Sequence, residues 1–212
     1  MNLPRKDENG ESYLSDSQIK LFLKDQNAYY KQYILGEPFL GNAFTEFGLK
    51  VGKAIETNNY DGFAPFEQTV LKKVPRLDHF EKEIKLRYDE HGFYLKGFID
   101  TVDAGFNTIM DYKTGGKDKE HQYSERDYVQ LCFYTLGLRQ QYCITPKVGQ
   151  VCFIRRGGNP FKGEELYVRV EKPLIIPVDI SETRLKNVYW NTIKVAKMIE
   201  EFYLKNKPNG TA

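Results

Sequence analysis

The 212 residues carry 31 basic and 29 acidic side chains, a net charge of +2, and 14% of them are aromatic. No basic tail advertises nucleic-acid binding, and the aromatic content is high enough to build a substantial core. No run approaches the roughly 18 apolar residues of a membrane span, and the polar start MNLPRKDENG is no secretory signal, so a cytoplasmic protein without membrane contact is expected.

A single domain over residues 1–212 is expected, with 1–12 and 206–212 as flexible ends. Three cysteines (Cys132, Cys143 and Cys152) form no paired spacing, which argues against a disulfide framework and reads as buried thiols in a reducing compartment.

In chain order, Leu14-Ser15-Asp16-Ser17-Gln18-Ile19 opens a helix. Ser15 and Gln18 are spaced as a capping box, Leu14 and Ile19 as a hydrophobic staple. This helix should run through Tyr29 and Tyr30 to about Ile34, before Gly36 and Pro38. Segments 66–74 and 83–88 read as strands. A hairpin follows, Phe93 to Asp103 and Asn107 to Lys113, rich in aromatic and β-branched residues. Gly105-Phe106 at its tip has the signature of a type II′ turn.

That register sets Asp100 across from Asp111, with Cβ atoms roughly 4.5–5.5 Å apart. Alternation puts Lys113 on the same face as Asp111. Two facing carboxylates repel unless a cation lies between them, and hard oxygen ligands suit Mg²⁺ or Mn²⁺. Lys113 would then orient or help deprotonate the water that attacks a phosphodiester. Glu83-Ile84-Lys85 repeats the acidic-x-Lys pattern, but no second strand with an aspartate at hairpin distance precedes it.

Residues 115–123 form a polar, glycine-bearing segment that reads as a mobile loop suited to meeting a phosphate backbone. Lys117 and Lys119 in this loop, with Arg155 and Arg156 further on, are the candidate nucleic-acid contacts. A helix over 125–141 follows, with Gln130 and Tyr134 on one stripe. Segments 147–155 and 165–171 read as strands, and Pro173 and Pro177 break the chain. The last helix, from about Ser181 to Leu204, buries a stripe of Leu185, Val188, Tyr189, Val195, Ile199 and Phe202.

The order Gly97-x-x-Asp100, then Ile109-Met110-Asp111-Tyr112-Lys113-Thr114-Gly115, then Gln130-x-x-x-Tyr134 resembles the RecB-like branch of the PD-(D/E)xK nuclease superfamily. That branch includes nuclease domains of bacterial recombination helicase–nucleases, CRISPR-adaptation exonucleases and phage recombination exonucleases. The Ser-x-Ser opening with Tyr29-Tyr30-x-x-Tyr33, and Glu46 to Glu56 as a second helix, are similar to the same branch, so the likeness spans about Leu14 to Arg155.

The resemblance implies an α/β, restriction-endonuclease-like fold, a mixed central sheet flanked by helices. It implies a Mg²⁺- or Mn²⁺-dependent nuclease acting on DNA, most plausibly an exonuclease in recombination, repair or phage DNA processing. Asp100, Asp111 and the backbone carbonyl of Tyr112 would hold the metal, Lys113 would activate the water, and Gln130 and Tyr134 would brace the site or touch the phosphate backbone.

Two features depart from the pattern. The motif histidine of the second helix is replaced by Gly52, for which Glu56 or Glu46 is a substitute ligand, and Glu83 is a further candidate on the strand before Asp100. Three cysteines cannot supply the four thiolates of an iron–sulfur cluster, so none is expected. Two other classes stay open: a binding relative without turnover, and an endonuclease for branched or specific DNA. A homo-oligomer or a recombination or replication partner protein is compatible with either.

Overall fold

The computed structural model describes residues 1–124 and 128–208. A seven-stranded mixed sheet forms its centre. The strands are β1 (Tyr13–Leu14), β2 (His79–Tyr88), β3 (Phe93–Val102), β4 (Thr108–Gly115), β5 (Val148–Gly157), β6 (Tyr167–Val168) and β7 (Leu174–Val178). β2 lies antiparallel along one edge of β3, while the other edge meets β1 at Tyr94–Leu95 and β4 only at Thr101–Val102. β4 runs parallel to β5, whose far edge carries β7 and β6. The expected mixed α/β architecture is what forms.

Helices cover both faces. Met110, Cys152 and Ile154 pack with α3 (Ala43–Thr57) and α4 (Pro65–Leu71). Ile109, Val151 and Phe153 pack on the opposite face with α5 (Gln130–Tyr142). Beyond them α1 (Asp16–Lys24), α2 (Gln26–Tyr29) and α6 (Glu182–Asn206) close a third cluster over Leu86, Tyr88, Phe93 and Leu95. No helix among the described residues is long and apolar enough to cross a membrane.

Several expectations need correcting. Segment 66–74 is the helix α4, because Pro65 fits its first turn and the Glu67 carboxylate accepts the Ala64 N–H at 2.8 Å. The other Glu67 oxygen accepts the Val168 N–H at 2.7 Å, tying α4 to β6. The first helix is not continuous: Asp25 leaves helical geometry (φ −155°) and caps α2 by accepting the Ala28 N–H, and a π-helical turn, Tyr30–Ile34, follows. Ser15 does cap α1, accepting from Gln18 N–H.

The segment between Pro173 and Pro177 is no break but β7, an edge strand, where a proline costs no ladder bond. The strand expected over 165–171 shrinks to β6. The polar loop after β4 winds into a 3₁₀ helix, Lys117–Tyr123. The start of the 125–141 helix falls on residues 125–127, outside the described residues. Residues 1–12 are docked: Leu3 is fully buried, and the N-terminal ammonium of Met1 donates to the His91 carbonyl at 2.6 Å. Cys143 is exposed at the left-handed end of α5, whereas Cys132 and Cys152 are buried. Burial pushes their thiols up to about 11 and about 12 respectively.

The glycine of α5 sets how closely that helix approaches the sheet. A Cβ on Gly137 would lie 1.9 Å from Cγ2 of Ile84 on β2. Gly137→Ala should therefore cost about 1–3 kcal/mol by overpacking, and should cost less in an Ile84→Ala background, where the clashing methyl is gone. Urea denaturation measures this, and an unchanged midpoint for the single variant would refute the tight contact.

Candidate active site

The site begins where β3 leaves β4. Their pairing covers Thr101↔Met110 and Val102↔Ile109, the register inferred from the sequence. The turn differs: Phe106 N–H donates to the Asp103 carbonyl and Phe106 itself takes the left-handed φ of +54°, while Gly105 does not. The Asp103 carboxylate accepts the N–H groups of Asn107 and Thr108 at 2.7 and 3.0 Å, which holds this longer turn in the same register.

One step beyond the pairing, Asp100 faces Asp111, and there the strands part. The Tyr112 N–H, which a continued ladder would give to β3 backbone, donates instead to Asp100 Oδ2 at 2.7 Å. Strand geometry turns the Tyr112 carbonyl to the same side as its N–H. β2 kinks at the same level. Its register pairs Phe80 with Thr101 and Lys82 with Ile99, leaving Glu81 and Asp100 opposite each other, and Glu81 sits at φ +49°. A left-handed glutamate is a strained position, and such strain gathers at functional sites.

Asp111 is fully buried. Its Oδ2 lies 2.5 Å from Lys113 Nζ and accepts the Tyr128 hydroxyl at 2.8 Å, while its Oδ1 is buried with no hydrogen-bond partner. Burial alone would lower the Lys113 pKa, but Asp111 and Asp100 more than offset it, so the ammonium is held charged. Asp100 is driven up by burial first and by the Asp111 charge second, against the pull of Lys113 and the Tyr112 N–H.

These groups open into a cleft of about 600 Å³ between α3 and the sheet, lined by Asp100, Lys113, Glu81, Glu56, Lys53 and Gly52, among others. Glu56 lies in the cleft and is paired with Lys53 at 2.9 Å. Glu46 is exposed and lines a separate depression beside Glu164. Glu83 is outside the cleft, paired with Lys96 at 3.3 Å. Besides Glu56, a second glutamate reaches the cleft, Glu81, which the sequence reading does not single out. The nearby Glu83 offered a competing position, and only the kink in β2 distinguishes the two. Burial and Glu56 raise the Glu81 pKa, opposed by Lys53.

Gln130 and Tyr134 do not line this cleft. Gln130 donates to the Tyr134 hydroxyl at 2.6 Å, and Tyr134 packs so closely on β3 that a Cβ on Gly97 would lie 2.7 Å from its ring. The pair packs against the strand carrying Asp100. Lys117 and Lys119 are exposed on the 3₁₀ helix. Arg155 is not a free contact, since Glu120 takes its guanidinium in a two-point ion pair, the second contact at 3.1 Å. Arg156 lies over the Phe44 ring, 4.0 Å from its centroid.

Among the described residues, no three His, Cys, Asp or Glu side chains cluster into a ready-made metal site. The facing carboxylates Asp100 and Asp111, with the orphaned Asp111 Oδ1, still suit a cation such as Mg²⁺, which needs one or two carboxylates and keeps several waters.

The sheet thus parts to present Asp100, Asp111 and Lys113 beside a helix-walled cleft. The PD-(D/E)XK nuclease superfamily profile matches residues 60–202, and the chain belongs to that superfamily. No curated protein matches the sequence. Among solved structures, a crystal structure of a "putative exonuclease" from Eubacterium rectale is similar, with a TM-score of 0.60 at 14% identity, covering 92% of this chain and 82% of that one. This likeness establishes a shared fold.

The electrostatics of Asp100 give a stability test in the absence of divalent cations. Its folded-state pKa lies above the ordinary 3.8, so the folded chain holds the proton longer than the unfolded one. Stability should therefore fall as pH rises above that value, until both states are ionised. Asp100→Asn should flatten this fall and stabilise the protein most at mildly alkaline pH. Denaturation midpoints across the pH range measure it, and parallel curves for the two proteins would contradict the assignment.

Proposed function

We propose that the protein is a Mg²⁺- or Mn²⁺-dependent deoxyribonuclease of the RecB-like type, acting as an exonuclease in cytoplasmic DNA recombination, repair or phage DNA processing. The observation that carries this reading is the buried Asp111, one oxygen bridged to Lys113 and the other without a partner, facing Asp100 across a parted hairpin. Asp100, Asp111 and the Tyr112 carbonyl would hold the metal, with Glu81 or Glu56 reaching it through water. When bound, the metal supplies Lewis-acid neutralisation of the charge that develops on the phosphoryl oxygens.

The chain's own groups do the rest. Asp111 fixes Lys113 Nζ at the cleft, and an ammonium held charged is suited to orienting the attacking water and stabilising negative charge rather than to removing a proton. Tyr128 fixes the Asp111 carboxylate from behind. Lys117 and Lys119 provide positive charge for the DNA backbone.

Cleavage of end-labelled linear DNA tests the reading. Lys113→Ala should lower the rate by about 10²–10³-fold, compared with wild type at a temperature where a melting curve shows both proteins folded. Wild type inert with either metal on several substrates would favour a binding relative without turnover. Cutting of closed circular DNA would favour an endonuclease.

Gly52 gives an independent test. It lines the cleft, and a Cβ there meets nothing within 4 Å, so a side chain has open space. Gly52→His should increase the thermal stabilisation conferred by Mn²⁺ beyond that of Gly52→Ala, which corrects only for the helix preference. Equal Mn²⁺ responses would separate this position from the metal.

A further inference from the structure

The hairpin between β5 and β6 carries an aromatic ring in a position that core packing does not explain. Phe161 is 89% exposed, and it stands on an ordered turn. The Asn159 side chain accepts the Phe161 N–H at 3.1 Å, and Lys162 and Glu164 both donate to the Asn159 carbonyl. At the root of the hairpin Gly158 takes φ +84°, where a Cβ would lie 1.9 Å from the Glu165 carbonyl oxygen. A ring held out this way needs no further ordering to bind.

Phe161 is not alone. Its ring lies 5.8 Å from that of Phe44 in the first turn of α3, and Arg156 covers Phe44. This cluster continues the wall of the active-site cleft. Thr45, next to Phe44, lines the cleft, and Gly48, one turn on, packs against Thr114 next to Lys113. Burial lowers the Arg156 pKa, yet the guanidinium remains a cation far below its titration range.

We propose that Phe161, Phe44 and Arg156 form a stacking platform for an unpaired nucleobase of the strand whose phosphate enters the cleft. This deepens the nuclease reading and rests on it. Aromatic faces beside a guanidinium accept any base, and the adjoining cleft accepts its phosphate. The chemistry favours a base over a protein surface, because two rings and an arginine offer far less than the roughly 800 Å² per partner of a stable protein interface. A strand frayed at its end, rather than an intact duplex, is the form that fits.

The test is binding rather than turnover. Anisotropy of a fluorescein-labelled oligothymidylate is measured with Ca²⁺ and with EDTA, for wild type, Phe161→Ala and Phe161→Trp. Phe161→Ala should weaken binding about 5–20-fold, and Phe161→Trp should retain it. Walking one abasic nucleotide along the strand should reveal a position whose loss weakens wild type as much as Phe161→Ala does, with no further loss when the two are combined. Phe161 lies outside the core, and a melting curve checks that each variant folds.

Equal affinity of wild type and Phe161→Ala for the intact strand would overturn the platform. So would a Phe161→Ala effect confined to the sedimentation coefficient, which would mark a contact between copies of this chain. Neither result bears on cleavage, whereas an inert wild type with Phe161-dependent binding would remove the nuclease reading and leave the base site standing.

Discussion

The structure depends on one local conflict, the burial of a carboxylate beside another at the point where two strands separate. Asp111 has no access to solvent, and an isolated ionised carboxylate in such a place is expensive. Lys113 and Tyr128 meet one of its oxygens, and Asp100 is turned to the Tyr112 N–H, so each charge has a fixed partner. Removing one member of such a set leaves the others exposed to the full desolvation cost. A closed ladder between β3 and β4 would satisfy the backbone more simply. The parted ladder exchanges one backbone bond for a carboxylate contact and opens the cleft in the process.

Packing around this fork keeps it in place by close approach rather than by bulk. Gly97 lets the Tyr134 ring lie against β3 directly beside the fork, and Gly137 lets α5 settle on Ile84, neither site leaving room for a Cβ. On the other face Gly48 of α3 lies over Thr114 with room to spare. The two helices thereby grip the strands that carry Asp100, Asp111 and Lys113 from opposite faces, which is the rigid support that a site positioned to a fraction of an ångström requires.

The hairpin register, the last helix and the Asp100–Asp111–Lys113 grouping were legible because each rests on local pattern: alternation, an apolar helical stripe and turn-prone residues, whereas α3 was read from the family resemblance. What was not legible depends on partners far along the chain. Segment 66–74 has strand-like composition, but Glu67 commits it to a helix through bonds to Ala64 and to Val168, about a hundred residues away. β7 was hidden by prolines that are disruptive in a central strand and harmless at an edge. Arg155 looked like a phosphate contact until Glu120 claimed it. Glu81 could not be told from Glu83, because both lie in a strand of alternating charge and the choice is made by a left-handed residue that no propensity marks.

Charge explains why that left-handed glutamate matters. The cleft and the buried residue behind it bring together four carboxylates, Glu56, Glu81, Asp100 and Asp111, against two ammonium groups, Lys53 and Lys113. Two of those carboxylates, Asp100 and Glu81, are held above their ordinary values, each by burial and then by a neighbouring carboxylate. Lysines alone therefore do not balance the site, and the residual charge is that of two anions on opposite strands of the same kink. Gly52 leaves open space on the α3 wall of the cleft, while Glu81 brings a further anion to the opposite wall. The strain at Glu81 is maintained by the β2–β3 register on either side of it. A cation beside the facing Asp100 and Asp111 would supply the counter-charge that the two lysines do not.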